Sequence, residues 1–251
     1  MKQTNQDIAI ITGGGSGIGA ALALALAERD WPVLVIGRRE QPLTDVCAQA
    51  PRHIHALALD VSLAQAGARV CDWLQAKAFS ARILVHNAAV LEPVGALAEV
   101  DNAALQKHMS INFHAPLLLA QGLLDQLGQG GRQLFISSGA AYSPIPGWGA
   151  YCCSKAALHM LMQQFAIEFE HQQLATASLR PGVVDTPMQA QIRQYDAKQF
   201  PEVARFRQMH RDNELISPRR VAEFARSLLL DTPSETFHNQ AWDIRDSHHV
   251  I

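Results

Sequence analysis

Six short β-rich runs punctuate this chain: Ile8 to Thr12, Val33 to Gly37, Ile54 to Leu59, Ile83 to His86, Gln133 to Ser137 and Ala175 to Leu179. Between them lie stretches of helical length, among them AALALALAERD from Ala20 and YCCSKAALHMLMQQFAIEF from Tyr151. Apolar runs of strand length separated by helical patterns predict an α/β fold, a doubly wound parallel sheet with helices on both faces and right-handed connections. Ligands in such folds bind beyond the carboxyl ends of the strands, where the strand order switches. Gly13, Asp60, Asn87, Ser138 and Pro181 each follow a predicted strand, so the pattern brings them to that one edge.

The alternation changes character between Pro187 and Ile216, a stretch rich in Gln and Arg with scattered Met, Phe and Tyr. It is read as a mobile helical lid over a substrate. Ser217 then supplies an N-cap and Pro218 a first helical position for a helix running to Leu230. No repeats or low-complexity tracts interrupt the pattern, and 251 residues suit one α/β domain spanning 1–251.

Hydrophobic residues make up 48% and charged residues 18%, enough apolar material for a buried sheet and too much for long disorder. With 21 basic and 23 acidic residues the net charge is -2, so no global positive field draws in a nucleic acid. The N-terminus enters the first strand almost directly, without room for a secretion leader. The apolar stretch from Ala20 ends at Glu28, short of the ~20 residues that span a bilayer. A soluble cytoplasmic protein is expected, with no membrane partner. Cys47, Cys71, Cys152 and Cys153 lack metal-type spacing and read as reduced thiols, the last two either packing a helix or lining a site. His53-x-His55 and His248-His249 lack nearby carboxylate or Cys partners at ligand spacing, so no metal is expected.

Chemistry enters with two motifs. Tyr151 and Lys155 stand four residues apart on a predicted helix, so both leave the same face. An ammonium close to a phenol stabilises the phenolate and lowers its pKa from about 10, making it a proton donor and acceptor. Near the N-terminus, DIAIIT runs into Gly13, Gly14, Gly15, Ser16, Gly17, Ile18 and Gly19 and then into a helix. Strand, glycine turn and helix start together offer free N–H groups and a positive dipole end to a pyrophosphate.

TGGGSGIG from Thr12 to Gly19 together with Tyr151-x-x-x-Lys155 resembles the short-chain dehydrogenase/reductase family, and the likeness covers nearly the whole chain. Other matching pieces fall in the family's order: Asp60-Val61, Asn87-Ala88, Asn112, Ser138 thirteen residues before the Tyr, and Pro181-Gly182. Ala89 departs from the glycine that members commonly show. The resemblance implies a Rossmann-type domain and a catalytic set of Ser138, Tyr151, Lys155 and Asn112. Tyr151 would protonate the substrate oxygen and Ser138, with Ser137 as rival, would orient it. Lys155 would hold the nicotinamide ribose, and Asn112 a water leading to solvent. Cofactor contacts would come from Gly13, Gly15, Ser16, Gly17, Ile18 and Gly19, from Asp60 and Val61 at the adenine, and from Asn87 and Ala88 along its middle. Tyr151, Lys155, Pro181, Gly182, Val184 and Thr186 would complete them at the nicotinamide.

The second predicted strand ends at Gly37, where an acid would favour NAD, and Arg38 and Arg39 follow with guanidinium forks suited to a 2′-phosphate. NADP(H) is the expected cofactor. RPGVVDTPMQ from Arg180 and the loop SSGAAYSPIPGWGAY are similar to the branch holding sepiapterin reductases and microbial benzil reductases. Tyr142, Pro144, Ile145, Trp148 and Met188 either wall an apolar pocket for a small ketone or diketone or pack the loop. Asp243 or Asp246 is the sole counterpart of the acid with which sepiapterin reductases grip a pterin, which ranks diketones first. The alternatives are an NADP-dependent alcohol dehydrogenase and a 3-oxoacyl-thioester reductase, for which Arg205, Arg207 and Arg211 would form a basic patch. A cofactor-sensing regulatory protein is the non-enzyme alternative. Surplus apolar positions in Leu105 to Leu127 and Ala150 to Phe169 point to a homodimer or homotetramer.

Overall fold

The computed structural model describes residues 5–127 and 130–246. Seven strands form one sheet: β1 (Gln6–Thr12), β2 (Val33–Gly37), β3 (Ile54–Ala58), β4 (Phe79–His86), β5 (Arg132–Ile136), β6 (Ala175–Arg180) and β7 (Ala241–Asp243). Their order is β3-β2-β1-β4-β5-β6-β7, and every pairing is parallel. The helices are α1 (Gly17–Ala27), α2 (Glu40–Gln49), α3 (Ala66–Lys77), α4 (Asn102–Met109), α5 (Ala115–Leu127), α6 (Gly149–Glu168), α7 (Pro187–Ile192), α8 (Val203–Arg211), α9 (Pro218–Leu230) and α10 (Ser234–Phe237).

Both faces of the sheet are buried at its centre, which is why β1 and β2 read as apolar runs and not as alternation. Ala9, Ile11, Val33 and Val35 pack under Leu22 and Leu26 of α1 and Val221 and Ala225 of α9. Their sequence neighbours Ile8, Ile10, Leu34 and Ile36 point the other way, to Val70 and Leu74 of α3 and Leu119 and Leu123 of α5. Each fully buried Leu or Ile contributes about 1.5–3 kcal/mol, so the two faces together hold the layers. Beside α5, Phe135 meets Leu158, Met162 and Phe165 of α6.

The six predicted strands are present within a few residues of their expected bounds, and β7 joins them at the edge beside β6. The helix start at Ser217 is as expected, since its Oγ accepts the Arg220 N–H at 3.2 Å ahead of Pro218. The segment expected as a lid carries α7 and α8. One expected helix differs: between α4 and α5 the backbone widens into a π turn over Ser110–His114, with the Ala115 N–H reaching back to the Ser110 carbonyl. Among the described residues no helix is long and apolar enough to cross a membrane. His248-His249 lie outside the described residues. The chain runs from β1 outward to β3 and then returns to β4 on the other side of β1, so the strand order switches between β1 and β4. A crevice is expected beyond their carboxyl ends.

Candidate active site

A cavity of about 720 Å³ opens at that edge, lined from the glycine turn through Tyr151 and Lys155 to α7 and α8. Its first part is shaped by what the glycines leave out. Gly13 sits at φ +66°, and a Cβ there would lie 2.9 Å from Asn87 Nδ2 and 3.0 Å from the Ala88 Cα. A Cβ at Gly19 would come within 2.5 Å of both Asn87 Nδ2 and the Gly13 carbonyl oxygen. Asn87 is the brace between these pieces, its Nδ2 donating to the Thr12 carbonyl at 2.9 Å and the Gly13 carbonyl at 3.2 Å. Thr12 Oγ1 accepts the N–H groups of Asn87 and Ala88 at 3.0 and 3.1 Å and donates to the Val85 carbonyl at 3.2 Å. Ser16 is extended before α1 and makes no side-chain cap, so the first-turn N–H groups of α1 have no side-chain acceptor from Ser16.

Gly13, Gly15, Ser16, Gly17 and Ile18 line the cavity, whereas Gly19 stands behind the turn and acts through its missing Cβ. Arg38, Arg39, Asp60, Val61, Asn87 and Ala88 continue the lining. Burial pushes the Asp60 carboxyl up, but hydrogen bonds from the Ser62 hydroxyl at 2.7 Å and its N–H at 3.0 Å, with the Arg38 charge, bring it net below its ordinary value. Pro181, Gly182, Val184 and Thr186 line the far wall. The Thr186 hydroxyl caps α7, accepting the Gln189 N–H at 3.3 Å.

At the junction of groove and far chamber lie Ser138, Tyr151 and Lys155. Tyr151, on the first turn of α6, is 8% exposed and its hydroxyl faces the Ser138 side chain. Ser138 follows β5, and its Oγ accepts the Ala140 N–H at 3.1 Å. One turn along α6, Lys155 donates to the Ile136 carbonyl at 2.7 Å with its Nζ 5.7 Å from the Tyr151 ring centre. The expectation of a depressed phenol pKa is corrected here. Burial pushes Tyr151 up to about 12, against the lowering effect of the Ser138 side chain, and pushes Lys155 down to about 8. Removal from water disfavours both charged forms more than the pair's geometry compensates. The phenol therefore keeps its proton at neutral pH.

Asn112 is brought near this cluster but does not line the cavity. It is 1% exposed in the π turn, with Oδ1 accepting the Val90 N–H and Nδ2 donating to the Val90 carbonyl, both at 2.9 Å. His108, one turn before it, meets Nδ2 through its own Nε2 at 2.9 Å. Sequence reasoning passed over His108. The available signal was a histidine four residues ahead of Asn112 on one helix.

The far chamber is apolar, with Leu91, Ile145, Trp148, Met188, Ile192 and Phe206 around it. The Trp148 ring stacks on Phe200 at 4.8 Å and touches the Tyr151 ring edge-on at 5.7 Å. Of the five expected wall residues, Tyr142 and Pro144 stay outside. Tyr142 lies over the Arg180 guanidinium at 4.8 Å, and its hydroxyl meets the His159 ring at 3.2 Å. Glu92 Oε1 at the rim accepts from Gln191 at 3.0 Å and from Tyr195 at 3.2 Å, tying the α7 segment to the loop after β4.

Asp243 is 2% exposed and paired with Arg245 at 2.5 Å and Arg180 at 3.3 Å, so two cations already occupy the carboxylate. Arg205 lines the rim, but Arg207 donates to the carbonyls of Arg193 and Tyr195, and Arg211 to the Gln208 side chain. The four cysteines are free thiols, with burial pushing Cys152 up. His53 faces Asp30 at 3.6 Å, and His55 packs against Trp73 and Phe79.

The family described as short chain dehydrogenase matches residues 7–197. A benzil reductase ((S)-benzoin forming) of Bacillus subtilis (strain 168) is 32% identical over 247 residues, covering 96% of this chain and 99% of that protein. A second protein of that name, from Bacillus cereus, is 33% identical over 230 residues, covering 88% and 92%. Among solved structures, a short chain dehydrogenases/reductase from Saccharomyces cerevisiae superposes with a TM-score of 0.90 at 27% identity, covering 98% of each chain.

Proposed function

Because this chain belongs to the short-chain dehydrogenase/reductase family, and so is an oxidoreductase acting on carbonyl or hydroxyl groups, we propose that it uses NADPH to reduce a small, largely apolar ketone or diketone of the benzil kind. The observation that carries the reading is the buried Tyr151 hydroxyl, facing Ser138 and one helical turn from Lys155, at the point where a glycine-shaped groove meets an apolar chamber. The groove fits a dinucleotide phosphate: Cβ atoms are missing where the backbone must approach, and α1 begins there. Arg38 and Arg39 beyond Gly37 suit a 2′-phosphate, so NADP(H) is preferred over NAD(H).

Bound NADPH supplies the hydride for the carbonyl carbon. The chain supplies the rest. Ser138 Oγ hydrogen-bonds the carbonyl oxygen and turns it toward Tyr151. As negative charge builds on that oxygen, Tyr151 gives up its proton to it, general-acid catalysis by a group already holding the proton. The Lys155 ammonium has three donors, one of them on the Ile136 carbonyl, which leaves two for the ribose hydroxyls. Asn112 holds the π turn next to Lys155 and keeps one Oδ1 lone pair for a water on the path that returns the proton. The chamber of Ile145, Trp148, Met188 and Phe206 takes the apolar body of the substrate and keeps water from the reacting centre. The α7 and α8 segment serves as the lid.

Diketones rank above pterins because Asp243 is held by Arg180 and Arg245. They rank above carrier thioesters because Arg207 and Arg211 are engaged within their own segment. NADPH oxidation with benzil, sepiapterin and an acetoacetyl thioester, repeated with NADH, tests the reading. Benzil with NADPH is expected to show the highest kcat/KM, and Tyr151→Phe to lower kcat by about 10²–10⁴ with NADPH binding preserved. Turnover retained by that variant, or no carbonyl substrate in the panel turned over, would overturn the assignment.

A further inference from the structure

A buried histidine lies beside the proposed proton path with both ring nitrogens engaged. His108 is 1% exposed, on the last turn of α4. Its Nδ1 is 2.6 Å from the Glu92 carbonyl oxygen, and its Nε2 is 2.9 Å from both Asn112 Nδ2 and Ser154 Oγ. A carbonyl oxygen only accepts, so Nδ1 carries a proton. The oxygen and nitrogen ends of the Asn112 amide are told apart by Oδ1 accepting the Val90 N–H at 2.9 Å, which leaves Nδ2 as the donor facing His108. Nε2 must then be a lone pair. The ring is thus a neutral imidazole with a defined tautomer, a donor on one side and an acceptor on the other.

We propose that His108, in its neutral form, is a positioning residue for the proton path: it fixes the Asn112 carboxamide and locks it to Ser154, one residue before Lys155 on α6. The proposal rests on the reading of Tyr151, Lys155 and Asn112 given above. With one Nδ2 proton on the Val90 carbonyl, the other is shared between His108 Nε2 at 2.9 Å and Ser154 Oγ at 3.2 Å, and the Ser154 proton is shared between the Tyr151 carbonyl and Nε2, both at 2.9 Å, so His108, Asn112 and Ser154 form one closed cluster under the backbone of Tyr151. On its other side His108 holds the backbone of Glu92, whose carboxylate is the anchor for Gln191 and Tyr195. A second proton on Nε2 would turn to Ser154 Oγ at 2.9 Å, send the Ser154 proton wholly to the Tyr151 carbonyl, and withdraw from the Asn112 amide N–H the lone pair that it faces at 2.9 Å.

The titratable groups around the ring are Lys155 and Tyr151 on α6 and Glu92 on the loop after β4. The Tyr151 ring stands edge-on at 6.3 Å, and the Glu92 carboxylate is turned toward Gln191 and Tyr195. Burial, more than any charge, lowers the imidazole pKa; the Glu92 carbonyl bond opposes it, and the Lys155 charge adds to the lowering. The neutral ring is therefore kept at neutral pH and lost only below the ordinary value of about 6.5.

The test compares His108→Leu and His108→Gln with the parent protein, using whichever ketone the parent reduces. His108→Leu removes both bonds and is expected to lower kcat by about ten- to a hundredfold, with KM and NADPH binding little changed. His108→Gln keeps one donor and one acceptor but does not titrate. It is expected to recover most of the loss and to lack the fall in kcat that the proposal expects of the parent on the acid side of the imidazole range. The Val90 contacts holding Asn112 unaided give the opposite result: His108→Leu folded with unchanged kcat, or the acid limb kept by His108→Gln, overturns the proposal. If His108→Leu does not fold, the pH profile of His108→Gln decides alone. Failure of the function reading itself shows elsewhere, as turnover surviving Tyr151→Phe.

Discussion

A phenol at about 12 and an ammonium at about 8 share one turn of helix, and each value has the same cause, removal from water. For a reductase this arrangement has a direction. In the proposed reaction the phenol would enter each cycle protonated, and the group at risk near neutrality would be the ammonium, whose charge that proposal needs to bind ribose hydroxyls and to favour loss of the phenol's proton. Lys155 has its pKa lowered, so its charged form is present below about 8 and disappears as pH rises through that value. The kcat/KM for NADPH, which reports groups of the free enzyme, is accordingly expected to fall above about pH 8, earlier than an ordinary lysine near about 10.4 would allow. A profile flat to about pH 10 would show that the lysine charge is not needed for cofactor capture. Bound NADPH brings negative phosphates into the groove, so kcat is expected to lose its alkaline limb later than kcat/KM does.

At the scale of elements, the turn between β1 and α1 is set by the close approach of β4's end. Asn87 occupies the space that side chains at Gly13 and Gly19 would need. Gly19→Ala would set a Cβ 2.5 Å from the Gly13 carbonyl oxygen, a backbone atom with little room to yield. Overpacking of this kind costs about 1–3 kcal/mol. The cost falls on folding and on the turn that would cradle the phosphates, so the thermal midpoint is expected to drop by roughly 2–4 °C per kcal/mol and the Kd for NADPH to rise about ten- to a hundredfold. Isothermal titration beside a melting curve separates the two, and unchanged affinity would remove Gly19 from the account. The first strands and this turn were legible because β1 and β2 are apolar runs that end in glycine or polar residues, a pattern that double burial imposes. β7 has only Ala241, Trp242 and Asp243 and relies on β6 for its place, so no run announces it. The π turn at Ser110–His114 was equally hidden. Its cause is the set of bonds that Asn112 makes to Val90, His108 and Ser154, partners up to 42 residues away that local propensity does not weigh. Tyr142 missed the expected wall for a similar reason, drawn away by the Arg180 cation and His159.

On the scale of the whole molecule, α6 presents two faces with different tasks. Ser154, Lys155, Leu158, Met162, Phe165 and Ala166 point inward, and the opposite side carries Cys153, Ala156, Met160 and Ile167 at spacings of three, four and seven. Met160 is 55% exposed and Ile167 66%, large apolar groups on an outward stripe that a single chain gives no reason to keep. Leu117 and Leu124 on the neighbouring α5 are half-buried and extend the apolar surface. A second copy of this chain laid along α5 and α6 would bury the stripe by helix packing, and it would brace the helix that carries Tyr151 and Lys155. The protein is expected to be a dimer or tetramer at micromolar concentration, and Met160→Glu with Ile167→Glu to shift it toward monomer in light scattering after gel filtration. These side chains face away from the cavity, so a fall in kcat accompanying dissociation would mean that the neighbouring copy stabilises the first turns of α6. Unchanged kcat in the monomer would confine assembly to stability. A parent protein already monomeric under these conditions would leave the stripe without this partner and remove the assembly from the account.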